Sequence, residues 1–221
     1  MTIEALLFDL DGTMLNTDPI HIAVFAEMMK PKGLDVDEAF YMAHVHGRLN
    51  TDIFAEFLPD EPDPQALSDA KEAEFRRRLP RPFPAMAGLD ALLNQADRMG
   101  LKMAVVTNAN RLNAEAMLRA IGQRARFDVL VIGEECARGK PHPEPYATAI
   151  QRLGVAPART LAFEDSPSGI RSARAAGAKV VGIRSSADHE TLCAAGAHVT
   201  LSDFTDPLLA PLIGHPEGAN P

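Results

Sequence analysis

A parallel β-sheet with helices on both faces, interrupted after its first strand by an all-helical insert, is the architecture this sequence predicts. Three observations carry it. The chain opens on an apolar run, Ile3-Glu4-Ala5-Leu6-Leu7-Phe8, that reads as a buried strand. Residues 16–80 then hold helix-like spacings and nothing strand-like. From residue 89 onward, helical and strand-like stretches alternate, which is how βαβ units build a parallel sheet.

The first strand ends in Asp9, and a second carboxylate, Asp11, follows two residues later. Residues i and i+2 share a side of an extended chain, so the pair leaves the strand end facing one place. Gly12 lets the chain turn tightly behind them. In the insert, Ile20, Ala23, Val24, Ala26 and Met28 set a helical rhythm over residues 17–30, and Pro31 and Gly33 end it. Further helices are predicted over 36–45, 50–58 and 64–79, with Pro59 and Pro62 separating the last two. Pro80, Pro82 and Pro84 stiffen the return crossing. The predicted division is therefore a core of residues 1–15 and 85–213, a helical cap of residues 16–84, and a flexible tail of residues 214–221 too poor in apolar side chains to pack.

Within the core, helices are predicted over 89–99, 109–121, 143–153 and 167–176. Strands are predicted over 101–106, 127–132, 160–163, 178–183 and 198–201. The strands are continuously apolar, which suits burial on both faces.

The totals bound the function. The chain has 221 residues, is 46% hydrophobic and 24% charged, and carries a formal net charge of -8. Net negative charge argues against non-specific nucleic-acid binding and against an anionic membrane surface. No stretch reaches the apolar length of a bilayer span, and the chain enters its first strand at once, leaving no room for a signal peptide. Cys136 and Cys193 form no metal or redox spacing. The expectation is a cytoplasmic protein with reduced thiols, a monomer or weak dimer without nucleic-acid or membrane partners.

Four groups fall at or just past strand ends, where open α/β sheets place their chemistry. The first is Asp9 and Asp11; as residues alone they fit either a reactive pair or a solvated Asx-turn. The second is Thr107-Asn108, small donors that suit a phosphoryl group and equally suit an N-cap. The third is Lys140 in Gly139-Lys140-Pro141, a cation on a constrained backbone. The fourth is Glu164-Asp165-Ser166, two more acids beside a helix opened by Pro167. Carboxylates converging from Asp9, Asp11 and Asp165 would suit magnesium, a hard oxygen-seeking cation that offsets the charge of a phosphate dianion. Thr107 and Lys140 would be left to hold the transferring oxygens, an arrangement that resembles phosphoryl-transfer machinery with an aspartyl-phosphate intermediate.

Asp9-Leu10-Asp11-Gly12-Thr13, Thr107-Asn108, Lys140 and Glu164-Asp165, in this order and spacing, resemble the four motifs of the haloacid dehalogenase-like hydrolase superfamily. The chain is similar to its helical-cap branch, which includes β-phosphoglucomutases and phosphoglycolate phosphatases; Ala173-Arg174-Ala175-Ala176-Gly177 is typical of that branch. The resemblance implies a Rossmann-like core and assigns roles. Asp9 is the nucleophile. Asp11 protonates the leaving oxygen and then activates water. Asp9, the Asp11 backbone carbonyl and Asp165 hold magnesium, with Glu164 supporting or joining them. Dehalogenases of the superfamily lack a counterpart of Asp11, so its presence implies phosphate chemistry.

In the cap, the resemblance places His21 where β-phosphoglucomutases carry a histidine; a solvated helix histidine fits the residues equally. His46-Gly47-Arg48 resembles a cap loop that faces the active site in this branch, with Gly47 permitting the turn and Arg48 offering a cation. Asn50 stands about where the mutases carry a phosphate-binding arginine. Phosphonate-cleaving relatives use a cap lysine, but Lys30, Lys32 and Lys71 match no such pattern. Arg76-Arg77-Arg78 reads as a solvated helix end, Phe25, Phe54 and Phe57 as cap core, and Met86, Met99 and Met103 as packing. The resulting expectation is a magnesium-dependent phosphatase of a small phosphorylated metabolite, a sugar phosphate or phosphoglycolate-like acid. Asn108, His21, Gly47 and Arg48 would contact that substrate. The alternatives are a phosphosugar mutase and, from another class, a non-catalytic phosphate- or partner-binding protein on the same fold.

Overall fold

The computed structural model describes residues 2–46 and 48–214. Gly47 of the expected cap loop, and the expected tail beyond Gly214, lie outside the described residues.

The first strand, β1 (Ala5–Phe8), is buried at every position. The later strands are β2 (Lys102–Thr107), β3 (Val129–Ile132), β4 (Thr160–Glu164), β5 (Lys179–Ile183) and β6 (Val199–Leu201). Among the described residues they form one parallel sheet in the order β3-β2-β1-β4-β5-β6. β1 is central because it is flanked on both sides, with Phe8 opposite Val105 of β2 and opposite Phe163 of β4. Only a strand without charges tolerates that place.

Alternation along β1 sends its side chains to two different layers. Ala5 and Leu7 join Val106, Tyr146, Ile150, Ala162, Ile170 and Val180 on one face. On the other, Phe8 stacks on Phe163 with centroids 5.1 Å apart and meets Phe127 and Phe204 edge-on. Full burial of each such side chain contributes about 1.5–3 kcal/mol.

The cap helices are α1 (Asp18–Met29), α2 (Glu38–His44), α3 (Asn50–Phe57) and α4 (Pro64–Arg78). Asp37 caps α2 through the Phe40 amide at 2.7 Å, and Asp63 caps α4 through the Ala66 amide at 2.9 Å. Phe25, Met29, Tyr41, Val45, Ile53 and Phe54 make their own apolar cluster, with Phe57 packed against it. The chain divides into two compact units, one of residues up to Asn16 and from Pro82 onward, the other Thr17–Arg81.

The core helices are α5 (Leu89–Arg98), α6 (Arg111–Ala120), α7 (Glu144–Leu153), α8 (Pro167–Ala175), α9 (His189–Ala195) and α10 (Ala210–Ile213). The last two were not expected from sequence. α9 is only seven residues long and buries one large apolar side chain, Leu192, so it has no periodicity to read. Its limits are set by caps: Asp188 accepts from the Thr191 amide at 2.8 Å, and Gly196 ends it at φ 114°. Among the described residues, no helix is long and apolar enough to cross a membrane.

Candidate active site

Because β1, β2 and β4 are parallel neighbours, their C-terminal ends lie side by side. Asp9 directly follows β1, Thr107 ends β2, and Glu164 ends β4 with Asp165 next. The loop from β3 to α7 supplies Lys140. The chain leaves β1 toward β2 and returns on its other side as β4, so this edge is the topological switch point of the sheet.

Asp9, Glu164 and Asp165 are all buried, and one oxygen of each lies within 4.8 Å of the others. Lys140 Nζ donates to Asp9 Oδ1 at 2.6 Å and to Glu164 Oε1 at 2.5 Å. Glu164 Oε1 also accepts from the Tyr146 hydroxyl at 2.7 Å, and its Oε2 from Ser166 at 3.1 Å. Asp165 accepts from the Ser186 hydroxyl through Oδ2 and from Thr13 through Oδ1 at 3.4 Å.

Three carboxylates against one ammonium leave negative charge in excess, and the titration of the groups reflects it. Burial pushes Asp9 up to about 7; Lys140 opposes this and Glu164 adds to it. Burial also pushes Asp165 well above the usual carboxylate range, with Asp9 and Glu164 reinforcing the shift. Burial acts to lower Lys140, yet Asp9 and Glu164 outweigh it and hold the ammonium above its ordinary value. Tyr146 is raised by burial and by Glu164, so it remains a neutral donor. An all-oxygen donor set short of positive charge fits a hard divalent cation. Asp11 is half-buried, its backbone bridges to Leu15, and its charge contributes to raising Asp165; its carboxylate is not one of the clustered three.

Thr107 is buried, and its Oγ1 accepts from the Ala109 amide at 3.1 Å. Asn108 reaches across to the lysine loop: its Oδ1 accepts from the Lys140 amide at 3.2 Å and its Nδ2 donates to the Lys140 carbonyl at 3.4 Å. The N-cap of α6 is neither residue but Asn110, which accepts from the Asn113 amide at 2.9 Å. The second motif is thus left to line the strand end and anchor Lys140.

In the cap unit, His21 is buried, stacks on Phe75 with centroids 4.0 Å apart, and meets Lys71 Nζ through Nδ1 at 2.9 Å. A solvated histidine is therefore not what the structure holds. Lys71 also donates to Glu72 at 2.9 Å, and Asn50 donates to Glu72 at 2.7 Å and to Ser68 at 3.0 Å. Burial pushes Glu72 up, but Lys71, His21 and Asn50 together bring it below its ordinary value. Arg48 donates to Glu56 at 2.7 Å and to the His44 carbonyl at 2.9 Å. The arginine run is not simply solvated: Arg78 pairs with Glu27 and Glu74, and Arg77 with Glu74.

Sequence reading missed Tyr146 and Ser186, and named Lys71 only to find that it matched no pattern. An aromatic early in a helix, a serine in a loop and a lysine in a polar helix carry no signal by themselves. It also gave no role to Gly169, in α8, where a Cβ would sit 1.8 Å from Glu164 Oε1 and 1.9 Å from its Cδ. Alanine is worth about 1 kcal/mol over glycine inside a helix. Overpacking costs about 1–3 kcal/mol and here would displace a site carboxylate. Gly169→Ala is therefore expected to lower both the melting temperature and the activity; a more stable, fully active variant would show that Glu164 has room to move.

Residues 6–183 match the family described as haloacid dehalogenase-like hydrolase. Validoxylamine A 7'-phosphate phosphatase of Streptomyces hygroscopicus subsp. limoneus is 33% identical, over 90% of this chain and 93% of that protein. N-acetylmuramic acid 6-phosphate phosphatase of Pseudomonas aeruginosa is 34% identical, over 83% of each. The crystal structure of CbbY from Rhodobacter sphaeroides, a mutant in complex with xylulose-(1,5)bisphosphate, superimposes with a TM-score of 0.82 at 32% identity, covering 92% of this chain and 95% of that one. With the family match spanning all four strand-end groups, the chain belongs to the haloacid dehalogenase-like hydrolases.

Proposed function

We propose that this protein is a magnesium-dependent phosphatase that hydrolyses a small phosphorylated metabolite, a sugar phosphate or phosphoglycolate-like acid, through an aspartyl phosphate on Asp9. The observation that carries the reading is the buried trio Asp9, Glu164 and Asp165, with Lys140 reaching two of them, at the switch point of the sheet. The phosphatase and sugar-phosphate names of the relatives point the same way. Magnesium, held by Asp9, the Asp11 carbonyl and Asp165 with Glu164 in or beside the shell, would neutralise the phosphate dianion so that a carboxylate can approach phosphorus.

The chain's own residues account for the rest. Lys140 orients Asp9 through its 2.6 Å bond and, with Thr107 and Asn108, would hold the phosphoryl oxygens. Asp9 attacks phosphorus and the ester P–O bond breaks, with Asp11 giving its proton to the departing oxygen. Asp11, now a carboxylate, takes a proton from water; the water oxygen attacks phosphorus, and the P–O bond to Asp9 breaks. Phosphate leaves and both aspartates return to their starting states. In the cap, His21, Gly47 and Arg48 would meet the non-reacting part of the substrate.

The test is a panel of phosphorylated metabolites with magnesium, scored for both free phosphate and isomerised product. A strong preference for hydrolysing one ester is expected. Efficient isomerisation of a hexose 1-phosphate with little phosphate release would establish the mutase instead. No turnover even of an aryl phosphate would leave only the binding protein. Asp11→Asn is expected to bind magnesium normally while losing about 10²- to 10⁴-fold in kcat, the usual contribution of proton transfer. His21→Ala and Arg48→Ala should raise KM for the preferred ester but leave aryl phosphate turnover near wild type; unchanged constants for both would remove the cap contacts from the reading.

A further inference from the structure

The loop after β5 carries Arg184-Ser185-Ser186, which no motif accounts for, yet both serines reach the strand-end cluster. Ser186 donates to Asp165 Oδ2, and Ser185 donates to the Gly12 carbonyl at 2.5 Å. We propose that Ser186 is a positioning residue for the cation site, fixing the rotamer of Asp165, and that Ser185 ties the Asp11-Gly12 turn to the same loop. The inference rests on the metal reading of the site given above.

The geometry leaves Asp165 dependent on this contact. Among the described residues, its other oxygen has only the long 3.4 Å bond from Thr13. Lys140, which steadies Asp9 and Glu164, makes no such bond to Asp165. The carboxylate leans over Gly12, where φ is 80° and a Cβ would lie 2.1 Å from Asp165 Oδ2 and 3.0 Å from Ser186 Oγ. Glycine, carboxylate and hydroxyl therefore pack as one unit, and a ligand that swings away from this unit loses its place beside Asp9. The chemistry of the donor matters too. A hydroxyl orients a carboxylate without cancelling its charge, whereas a lysine or arginine there would take the place of the metal. Partners that orient metal ligands in this way are commonly worth about 10- to 100-fold in metal affinity.

The experiment is magnesium titration by calorimetry on the full chain, with Ser186→Ala, Ser186→Cys, Ser186→Thr and Ser185→Ala beside the wild type. Ser186→Ala and Ser186→Cys are expected to weaken magnesium binding by about 10- to 100-fold. Ser186→Thr, which keeps the hydroxyl, should restore most of the affinity, and Ser185→Ala should fall between. Circular dichroism checks the fold; if the alanine variant unfolds, the cysteine variant, nearly the same shape, carries the comparison. Equal affinity in the wild type and the hydroxyl-free variants overturns the role of Ser186 and leaves the proposed function intact. A wild type that binds no magnesium overturns the metal reading and this inference with it.

Discussion

Asp9→Asn is expected to release no phosphate above background and to accumulate no phosphoenzyme, while folding as well as the wild type. Removing a covalent nucleophile costs on the order of 10⁶-fold when the residues of a site act as a unit. Asparagine keeps the shape of the side chain but offers no anionic oxygen. Stability should move the other way. Burial pushes Asp9 up to about 7 despite Lys140, so the charged form is what the site resists. A neutral amide relieves that resistance, and the metal-free variant should melt at or above the wild type at about pH 8. Lys140→Met is the contrasting case, because it strands Asp9 and Glu164 without their shared ammonium. Breaking a buried pair from one side is strongly destabilising, about 3–5 kcal/mol. Turnover by Asp9→Asn within tenfold of wild type would assign the nucleophile elsewhere.

Chelation is expected to abolish phosphate release, magnesium to restore it, and calcium, with its larger and looser coordination, to inhibit. The same site gives a pH signature in stability. Asp9 and Asp165 both titrate above their unfolded values, chiefly through burial. Between the ordinary carboxylate pKa and the folded one, the native chain retains protons that the unfolded chain has released. The metal-free protein therefore loses stability as pH rises from about 4, through about 7 for Asp9, with Asp165 acting in the same direction. A bound divalent cation favours the charged carboxylates, so the rise in melting temperature on adding magnesium should grow as pH rises across that window. Melting curves with magnesium or chelator at about pH 5 and about pH 8 test the sign. An equal increment at both would place the cation away from these carboxylates.

Much of this arrangement is legible in the amino-acid sequence. Three of the four groups announced themselves because each couples an apolar run to a polar residue at a sharp boundary, as Phe8 does to Asp9, Val106 to Thr107 and Phe163 to Glu164, whereas Lys140 stood out by its place between a glycine and a proline. What could not be read depends on approach from elsewhere in the chain. Asn108 suits a phosphate cradle by type, yet its amide also spans to the backbone of Lys140, and only the packing of two loops reveals that. His21 was ambiguous until Lys71 and Phe75 closed on it. Gly169 closes the stretch that begins at Phe163, but the reason for a glycine there shows only in the Glu164 carboxylate lying against it. Short, cap-defined elements such as α9 escape for a different reason, since seven residues complete barely two turns and leave no period to detect.

The central position of β1 has a consequence for how the chain is made. Its two neighbours are encoded far downstream, with Ala5 opposite Lys102 on one side and Thr160 on the other. Synthesis proceeds at about 5–20 residues per second, so the second neighbour reaches the strand roughly 10–30 s after the strand itself has left the ribosome. Throughout that interval a fully buried strand of the core has at least one unpaired edge. The helical insert, emerging directly behind it, can collapse on its own cluster of Phe25, Tyr41 and Phe54 without waiting. Nascent chains halted between residues 110 and 155 should accordingly hold an early-folded middle and a sticky leading end, the species that holdase chaperones would bind.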